Sequence, residues 1–317
     1  MIFSLLIRHL DLLLFLFICA FVPVATFGAW TRRILKKKEH PRWRWFWTAL
    51  FGCELLCILY AGFVEPRWLE VSQHQVSMPQ MSQGLRLVHL SDLHLKGDAA
   101  WQKQVLDAVR QAKPDLIVLT GDYLNQLSDS EQLLAFCGEL LVMVGPQRLF
   151  AVTGNFEWSL GSESVLHEAG VTTLDGTLVF VTWAGAALQV AGIGFDPSLR
   201  ASERKLADLV EQLDSSLPAI LLHHTPDLAE SPGIGAFDLV LSGHTHGGQV
   251  RLPFYGALIT MARHGKRYEA GWYDLSGGAR MYVSRGVGME AAPVPQIRFF
   301  CRPEVVVLDL LDRGNVR

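Results

Sequence analysis

Two apolar runs near the N-terminus are each long enough to cross a membrane. Residues 12–30 carry no charge over 19 positions, and residues 45–64 carry only Glu54 over 20 positions. At a rise of 1.5 Å per residue, a helix of either length spans the hydrocarbon core of a bilayer, about 30 Å. Tryptophans flank both runs, where their amphipathic rings prefer to lie. The sequence therefore predicts an N-terminal two-helix membrane hairpin within residues 1–70, with helices over about 12–30 and 45–64.

The side of the membrane that carries the rest of the chain stays open. The loop 31–44 between the runs holds seven Lys and Arg residues. The positive-inside rule places such a loop in the cytoplasm, so two crossings would export everything after Val64. The loop could also rest on anionic lipid headgroups. A cleaved signal peptide is the alternative for the first run, but its apolar region is longer than the usual 7–15 residues, and the second run would remain.

Composition excludes several classes of protein. Residues 84–317 hold 19 Lys and Arg against 26 Asp and Glu, a net charge of −7. An acidic domain without a stripe of basic and aromatic residues is a poor surface for nucleic acid. The five cysteines form no C-x-x-C pair, which argues against a disulfide scaffold and a zinc ribbon.

Alternating strands and helices are predicted beyond the membrane segment. The polar stretch 71–83, which contains Pro79, is interpreted as a linker. Predicted strands cover 85–90, 116–120, 149–153, 220–223 and 239–242, with hairpins over 172–193 and closing strands at 280–284 and 305–310. Residues 101–112 and 202–213 show helical periodicity. Short buried strands that alternate with helices predict an α/β domain over 84–317, its sheet covered on both faces.

Side chains with metal-binding chemistry follow the predicted strands. They are Asp92 and His94 after the first strand, Asp122 after the second, Asn155 after the third, His223 and His224 after the fourth, and His244 and His246 after the fifth. The carboxyl ends of buried strands converge on one crevice, so we expect these side chains to meet. Carboxylates, imidazoles and an amide together suit Mn²⁺, Fe²⁺ or Zn²⁺ better than Ca²⁺.

These motifs resemble those of the calcineurin-like metallophosphoesterase superfamily. The matching elements are Asp92-x-His94, Gly121-Asp122, Gly154-Asn155 and Gly243-His244-x-His246. The segments 91–95, 243–249 and 282–286 are similar to its bacterial membrane-associated branch. That branch lies near the chlamydial-type UDP-2,3-diacylglucosamine pyrophosphatases of lipid A synthesis, which release lipid X and UMP. The resemblance covers about residues 84–310 and implies a four-layer α-β-β-α sandwich of two mixed sheets.

The resemblance also implies two divalent metal ions and a role for each motif residue. Asp92, His94 and His246 would hold one ion, Asn155, His224 and His244 would hold the second, and Asp122 would bridge both. His224 is assigned because the family's ligand stands two residues before Pro226, and His223 remains the alternative. His89, inside the first strand, is expected to be a core histidine.

The implied mechanism is hydrolysis by a hydroxide that bridges the two ions. It attacks phosphorus in line while the cations neutralise charge on the phosphoryl oxygens. No protein nucleophile is needed. Arg285 is a candidate for additional charge stabilisation, and an ion pair at the surface is the alternative interpretation of this residue.

One position departs from the superfamily pattern. A histidine that assists the leaving group usually follows the asparagine, whereas Phe156 stands there in this chain. Phenylalanine cannot donate a proton, and general acid help typically contributes 10²–10⁴-fold to the rate. The departure favours substrates whose leaving group is already a stable anion, such as phosphoanhydrides. Glu157 or His167 could act as the acid instead.

Three functions follow as hypotheses. The first is a membrane-anchored hydrolase of a lipid-linked phosphoanhydride, with UDP-2,3-diacylglucosamine as the most concrete substrate. The second is an exported phosphatase or phosphodiesterase that acts on phosphoesters of lipid or wall polymer. The third is a metal-binding membrane scaffold without turnover. Expected partners are a phosphorylated small molecule or lipid and the bilayer, with no nucleic acid.

Overall fold

Strands and helices alternate along the chain from residue 70 onward. The computed structural model describes residues 21–35, 41–79, 81, 84–183, 186–290 and 294–312. The helices are α1 (Val22–Leu35), α2 (Pro41–Leu59), α3 (Ala99–Ala112), α4 (Ser130–Val144), α5 (Asn155–Leu160), α6 (Glu163–Glu168) and α7 (Leu199–Gln212). The strands are β1 (Glu70–Ser77), β2 (Leu85–Leu90), β3 (Leu116–Leu119), β4 (Leu149–Ala151), β5 (Thr172–Thr173), β6 (Thr177–Trp183), β7 (Ala186–Ile193), β8 (Ala219–His223), β9 (Leu239–Ser242), β10 (Arg251–Leu252), β11 (Gly256–Ala257), β12 (Gly271–Asp274), β13 (Arg280–Val283) and β14 (Glu304–Leu311).

These strands form two six-stranded mixed sheets and a small two-stranded one. The first sheet has the order β1-β14-β2-β3-β4-β5, and the second has the order β12-β13-β9-β8-β7-β6. In the first sheet only the β14–β2 pair is antiparallel, whereas the second sheet has an antiparallel pair at each edge. The predicted strands and the predicted hairpin β6–β7 are confirmed, with bounds that differ by one or two residues.

Three apolar cores separate the layers. The first core joins α3, α4 and α6 to one face of the first sheet. The second lies between the two sheets, and the third joins α7 to the outer face of the second sheet. Apolar residues that alternate along the strands supply both faces of each sheet, because successive side chains point to opposite sides. The layers therefore follow the order helix, sheet, sheet, helix, and the predicted pair of mixed sheets is confirmed.

The linker predicted over 71–83 is wrong for its first part. Residues Glu70–Ser77 form strand β1, which pairs in parallel with β14 at the edge of the first sheet. Exposed and half-buried residues alternate along most of this strand. An edge strand with one solvent-facing side needs few apolar residues, so the polar sequence did not reveal it.

The N-terminal helices pack on each other through aromatic and polar side chains. The rings of Trp30 and Phe51 stack at 4.9 Å, and the Thr26 hydroxyl donates a hydrogen bond to the Glu54 carboxylate. A continuous helical stretch, Pro41–Arg67, is long and apolar enough to cross a membrane. Residues 12–20 of the first predicted span, 12–30, lie outside the described part of the chain. The two-helix membrane hairpin therefore stays a prediction.

Candidate metal centre

The predicted ligands lie at the carboxyl ends of strands from both sheets. Asp92 and His94 follow β2, Asp122 follows β3 and Asn155 begins α5 after β4; His224 follows β8, and His244 and His246 follow β9. Strands β2, β3 and β4 are neighbours in the first sheet, as are β8 and β9 in the second. The two sheets thus bring the ends of these strands to one place.

The backbone at this place is strained. Five of the predicted ligands have φ between 42° and 68°, namely Asp92, His94, Asp122, His244 and His246. A left-handed conformation costs an L-residue about 1–2 kcal/mol. Strain of this kind concentrates at functional sites, where the surrounding structure holds it in place.

Two glycines allow the ligand-bearing loops to approach one another. A Cβ on Gly154 would overlap the side chain of Asp122, and one on Gly243 would overlap Ser91 and Asp92. Any other residue at these positions would push the loops apart. The glycines in the Gly-Asn and Gly-His motifs are therefore explained by close packing of the loops.

The ligands form two adjacent groups. Asp92, His94 and His246 compose the first group, and Asp122, His224 and His244 compose the second; within each, the ligand atoms lie within 4.8 Å of one another. The Asn155 amide oxygen joins the second group, 3.0 Å from Nε2 of His224. Oδ2 of Asp122 lies 3.3 Å from Nε2 of His224 and 3.9 Å from Nε2 of His94. Asp122 thus lies between the groups, in the place that a bridging ligand requires.

Several buried atoms of the ligand residues make no hydrogen bond. Among the described residues, Oδ2 of Asp122 and Nδ1 of both His244 and His246 are buried and make no hydrogen bond. Buried polar atoms are rarely left unpaired, because their desolvation is costly. Carboxylate oxygens and imidazole nitrogens are also the donor types that Mn²⁺, Fe²⁺ and Zn²⁺ accept. The residues present therefore fit a pair of divalent cations.

Further residues orient two of the imidazoles. Nδ1 of His94 lies 2.7 Å from the Asn125 amide oxygen, and Nδ1 of His224 lies 2.6 Å from the Thr120 carbonyl oxygen. Both contacts turn Nε2 of the ring toward the centre, as second partners of metal-binding histidines commonly do. Sequence reasoning missed Asn125, although it follows Asp122 by only three residues. It also missed Glu290, whose carboxylate lies 3.8 Å from Nε2 of His246.

Burial keeps most of these histidines in the neutral form that binds metal. It lowers the pKa of His94 and of His244 to about 4, and it lowers the pKa of His246 further still. His224 differs: burial disfavours its charged form, but the nearby Asp122 and Asp92 carboxylates act against burial, and the pKa of His224 rises to about 10. The carboxylates around the second group therefore favour a positive charge there.

The structure separates the two adjacent histidines after β8. His224 lies in the second group, whereas Nδ1 of His223 bonds to the Ile193 carbonyl oxygen at 2.9 Å and Nε2 lies 3.3 Å from the Thr225 hydroxyl. His223 is thus outside the ligand groups. His89 is fully buried in β2 and bonds to the Thr120 hydroxyl at 2.7 Å, as expected of a core histidine.

The contacts of Glu157, a candidate acid, indicate a structural role. Its buried carboxylate accepts three backbone N–H groups, from Asp122, Tyr123 and Gly154, each at 2.8 Å. It therefore ties the loop after β3 to the loop after β4. Both carboxylate oxygens are engaged by the backbone, so the contacts favour a positioning residue over a proton donor.

Arg285 is likewise engaged elsewhere. Its guanidinium pairs with Glu304 at 2.9 Å and with Glu70 at 3.2 Å. This is the ion-pair alternative for Arg285. These ion pairs favour that alternative, and a charge-stabilising role for Arg285 stays a prediction.

Phe156 lies against the ligands. Its backbone N–H donates to Oδ1 of Asp122 at 2.9 Å, and its ring lies nearly perpendicular to the His94 ring at a centroid distance of 4.9 Å. The position at which the superfamily usually has a proton-donating histidine is thus filled by an apolar ring.

Comparisons with known proteins agree with this geometry. The calcineurin-like phosphoesterase family model matches residues 85–248, slightly more than half the chain. The phosphodiesterase YaeI of Escherichia coli is 32% identical over 263 residues, covering 80% of this chain and 92% of the relative. The uncharacterized metallophosphoesterase YkuE of Bacillus subtilis is 31% identical over 261 residues, covering 79% and 88%.

A third relative has a more specific name. The UDP-2,3-diacylglucosamine pyrophosphatase LpxG of Chlamydia muridarum is 26% identical over 326 residues, covering 83% of this chain and 96% of the relative. The family match, the relatives above 30% identity and the paired ligand groups lead to one conclusion. The chain belongs to the calcineurin-like phosphoesterase family and is a metal-dependent hydrolase of phosphoester bonds.

Proposed function

We propose that the chain is a membrane-anchored, dinuclear-metal hydrolase of lipid-linked phosphoanhydrides, with UDP-2,3-diacylglucosamine as the most concrete substrate. The observation that carries the catalytic part is the position of Asp122. Its buried Oδ2 lies between two groups of buried ligands, 3.3 Å from Nε2 of His224 and 3.9 Å from Nε2 of His94. Bound divalent cations would supply a hydroxide nucleophile at neutral pH and neutralise charge on the phosphoryl oxygens.

The protein's own residues hold the ligands in a fixed geometry. Asn125 and Thr120 orient His94 and His224, while Glu157 holds the backbone of the loops that carry Asp122 and Asn155. Such second contacts fix the direction of each ligand atom, and their loss typically weakens metal affinity 10–100-fold. The site needs little reorganisation on substrate binding, which favours electrostatic stabilisation of the transition state.

The side chain of Phe156 supports an anhydride over an alkyl ester. A ring without a proton to donate contacts His94 at the centre. A sugar or glycerol hydroxyl is a poor leaving group and needs a general acid. A nucleoside monophosphate leaves a pyrophosphate as a stable anion. An anhydride therefore suits a centre of this kind.

The membrane helix supports a lipid-linked substrate. Pro41–Arg67 is long and apolar enough to cross a bilayer, and β1 begins only three residues after it. A domain tethered this closely keeps its site near the membrane surface. The Chlamydia muridarum relative, named as a UDP-2,3-diacylglucosamine pyrophosphatase, supports the same substrate.

A general membrane phosphodiesterase is the second candidate. The Escherichia coli relative, which has the higher identity, is named a phosphodiesterase. The basic loop 31–44 favours export of the domain, and an exported enzyme could not reach a cytoplasmic nucleotide sugar.

One experiment separates these candidates. Purified protein with Mn²⁺ is offered UDP-2,3-diacylglucosamine beside a bis-aryl phosphodiester, with Asp122→Asn as the inactive control. Release of UMP with little cleavage of the aryl ester supports the pyrophosphatase. Cleavage of the aryl ester alone supports the phosphodiesterase, and metal binding without any turnover supports the scaffold alternative.

A further inference from the structure

The end of the membrane helix is fixed to the catalytic domain. After α2, the chain continues through Tyr60–Val64 and Glu65–Arg67. The Ala61 carbonyl oxygen accepts a hydrogen bond of 2.9 Å from the backbone N–H of Arg298. Glu65 is fully buried, and its carboxylate accepts the backbone N–H groups of Phe300 and Cys301.

A residue that holds the helix end also contacts a predicted metal ligand. The Cys301 thiol donates to the carbonyl oxygen of His246 at 3.1 Å. The same residue is therefore held by Glu65 on the helix side and contacts a predicted ligand on the other. A helix end bound in this way keeps its position relative to the centre.

A cavity of about 360 Å³ opens between the helix end and the centre. Its apolar wall is formed by Phe63, Leu93, Leu95, Trp101, Val287 and Met289. His94, a predicted ligand, is also part of the wall, as is Gly62 of the helix end. Lys96 and Arg67 add positive charge, although Arg67 is paired with Asp98 at 2.8 Å.

We propose that this cavity binds an alkyl chain of a lipid phosphate whose phosphate group lies at the metal centre. The inference rests on the proposed function and specifies its substrate class. The cavity has a membrane-helix residue, Phe63, on one side and a predicted ligand, His94, on the other, so one molecule can contact both. Its wall is mostly apolar, and an alkyl chain gains free energy from every methylene that leaves water. Lys96 suits the anionic head of the same molecule, whereas Arg67 is paired with Asp98, which also lines the cavity.

Gly62 offers a direct test of occupancy. A Cβ added at Gly62 would meet nothing within 4 Å, and the residue has no left-handed backbone. A phenylalanine at Gly62, which lines the cavity, therefore begins in open space and without backbone strain. Gly52, in α2, has the same open surroundings but does not line the cavity. Gly62→Phe and Gly52→Phe form a matched pair, with Gly62→Leu as a smaller step should Gly62→Phe fail to fold.

The measurement is the binding of ethyl, butyl and hexyl phosphate to Mn²⁺-loaded protein in nanodiscs by calorimetry. Each methylene that enters an apolar site strengthens binding about fourfold. From ethyl to hexyl phosphate we expect Kd to fall about thirtyfold or more in the wild type and in Gly52→Phe. In Gly62→Phe the fall should be less than about threefold. Melting temperature and Mn²⁺ binding report whether each variant is folded.

Two results would overturn the inference. One is a wild type that binds all three phosphates equally, and the other is a Gly62→Phe variant with the same dependence on chain length as the wild type. Hydrolysis is measured separately. Release of UMP from UDP-2,3-diacylglucosamine together with a flat chain-length series leaves the proposed function standing without the cavity. The opposite result is also possible. If Kd falls steeply with chain length, Gly62→Phe removes this dependence and the protein hydrolyses none of the substrates, the cavity binds alkyl chains but the proposed function is wrong.

Discussion

The backbone N–H of Asp122 donates a hydrogen bond of 2.8 Å to the buried Glu157 carboxylate. Asp122 lies between the two groups of predicted ligands, so Glu157 holds the residue that we propose as the bridging ligand. Tyr123 and Gly154 donate to the same carboxylate. The loops after β3 and β4 are thereby joined through one side chain.

Glu157→Gln should lower stability and Mn²⁺ affinity. The amide replaces one acceptor oxygen with an NH₂ group, which leaves a buried backbone N–H unsatisfied at a cost of about 1–3 kcal/mol. We expect a lower melting temperature and about tenfold weaker Mn²⁺ binding by calorimetry. Glu168→Gln, an exposed position on α6, is the control. Unchanged stability and metal affinity, with activity lost only on poor leaving groups, would restore the acid interpretation.

His224→Ala and His223→Ala should differ sharply. His224 contacts both Asp122 and Asn155, whereas His223 bonds outside the ligand groups. We expect His224→Ala to lose turnover and retain about one metal ion per chain. His223→Ala should keep two ions, as measured by elemental analysis. The reverse pattern would make His223 the ligand.

Phe156→His should raise activity on diesters with poor leaving groups. An imidazole at this position would place a proton donor beside the predicted ligands, and general acids contribute 10²–10⁴-fold. A gain of about tenfold or more is expected for alkyl esters, with little change for aryl esters, in steady-state assays. Phe156→Leu, which removes the ring without adding a donor, should show no gain. An equal response of the two variants would contradict this account of the leaving group.

Protonation of His89 should destabilise the folded protein as the pH is lowered. Burial lowers the pKa of His89 to about 4, against 6.5 in the unfolded chain. Between these two pH values the unfolded state therefore binds more protons than the folded state. The contribution of neutral His89 to the free energy of unfolding is complete above pH 6.5 and is lost as pH falls toward 4. The full loss is about 3 kcal/mol. The melting temperature of the wild type should fall faster than that of His89→Leu over this window. Parallel curves for the two proteins would show that His89 does not titrate in this way.

Much of the domain was predictable from residue patterns. The strands β2, β8 and β9 are apolar runs whose last residues precede ligand motifs, so periodicity and chemistry indicated the same boundaries. The seven predicted ligands were found together because strand ends converge at one edge. The confirmed predictions concern segments whose local sequence pattern already indicates their place in the fold, such as apolar strands inside a sheet.

The parts that sequence missed depend on tertiary contacts. Strand β1 is polar because it lies at a sheet edge, and its pairing with β14 is more than two hundred residues distant in sequence. The roles of Glu157 and Arg285 depend on which groups pack around them. Glu290 approaches His246 from a loop after β13, and no local pattern indicates that contact.

The most direct test of the central claim is the metal content of purified protein, measured beside Mn²⁺-dependent hydrolysis of a phosphodiester. The account predicts two divalent ions per chain in the wild type and in Asp208→Asn, an exposed carboxylate on α7. Asp122→Asn should hold about one ion or fewer and lose turnover while it remains folded. Wild-type protein that binds a single ion, or an Asp122→Asn variant that keeps both ions and full activity, would contradict the dinuclear centre.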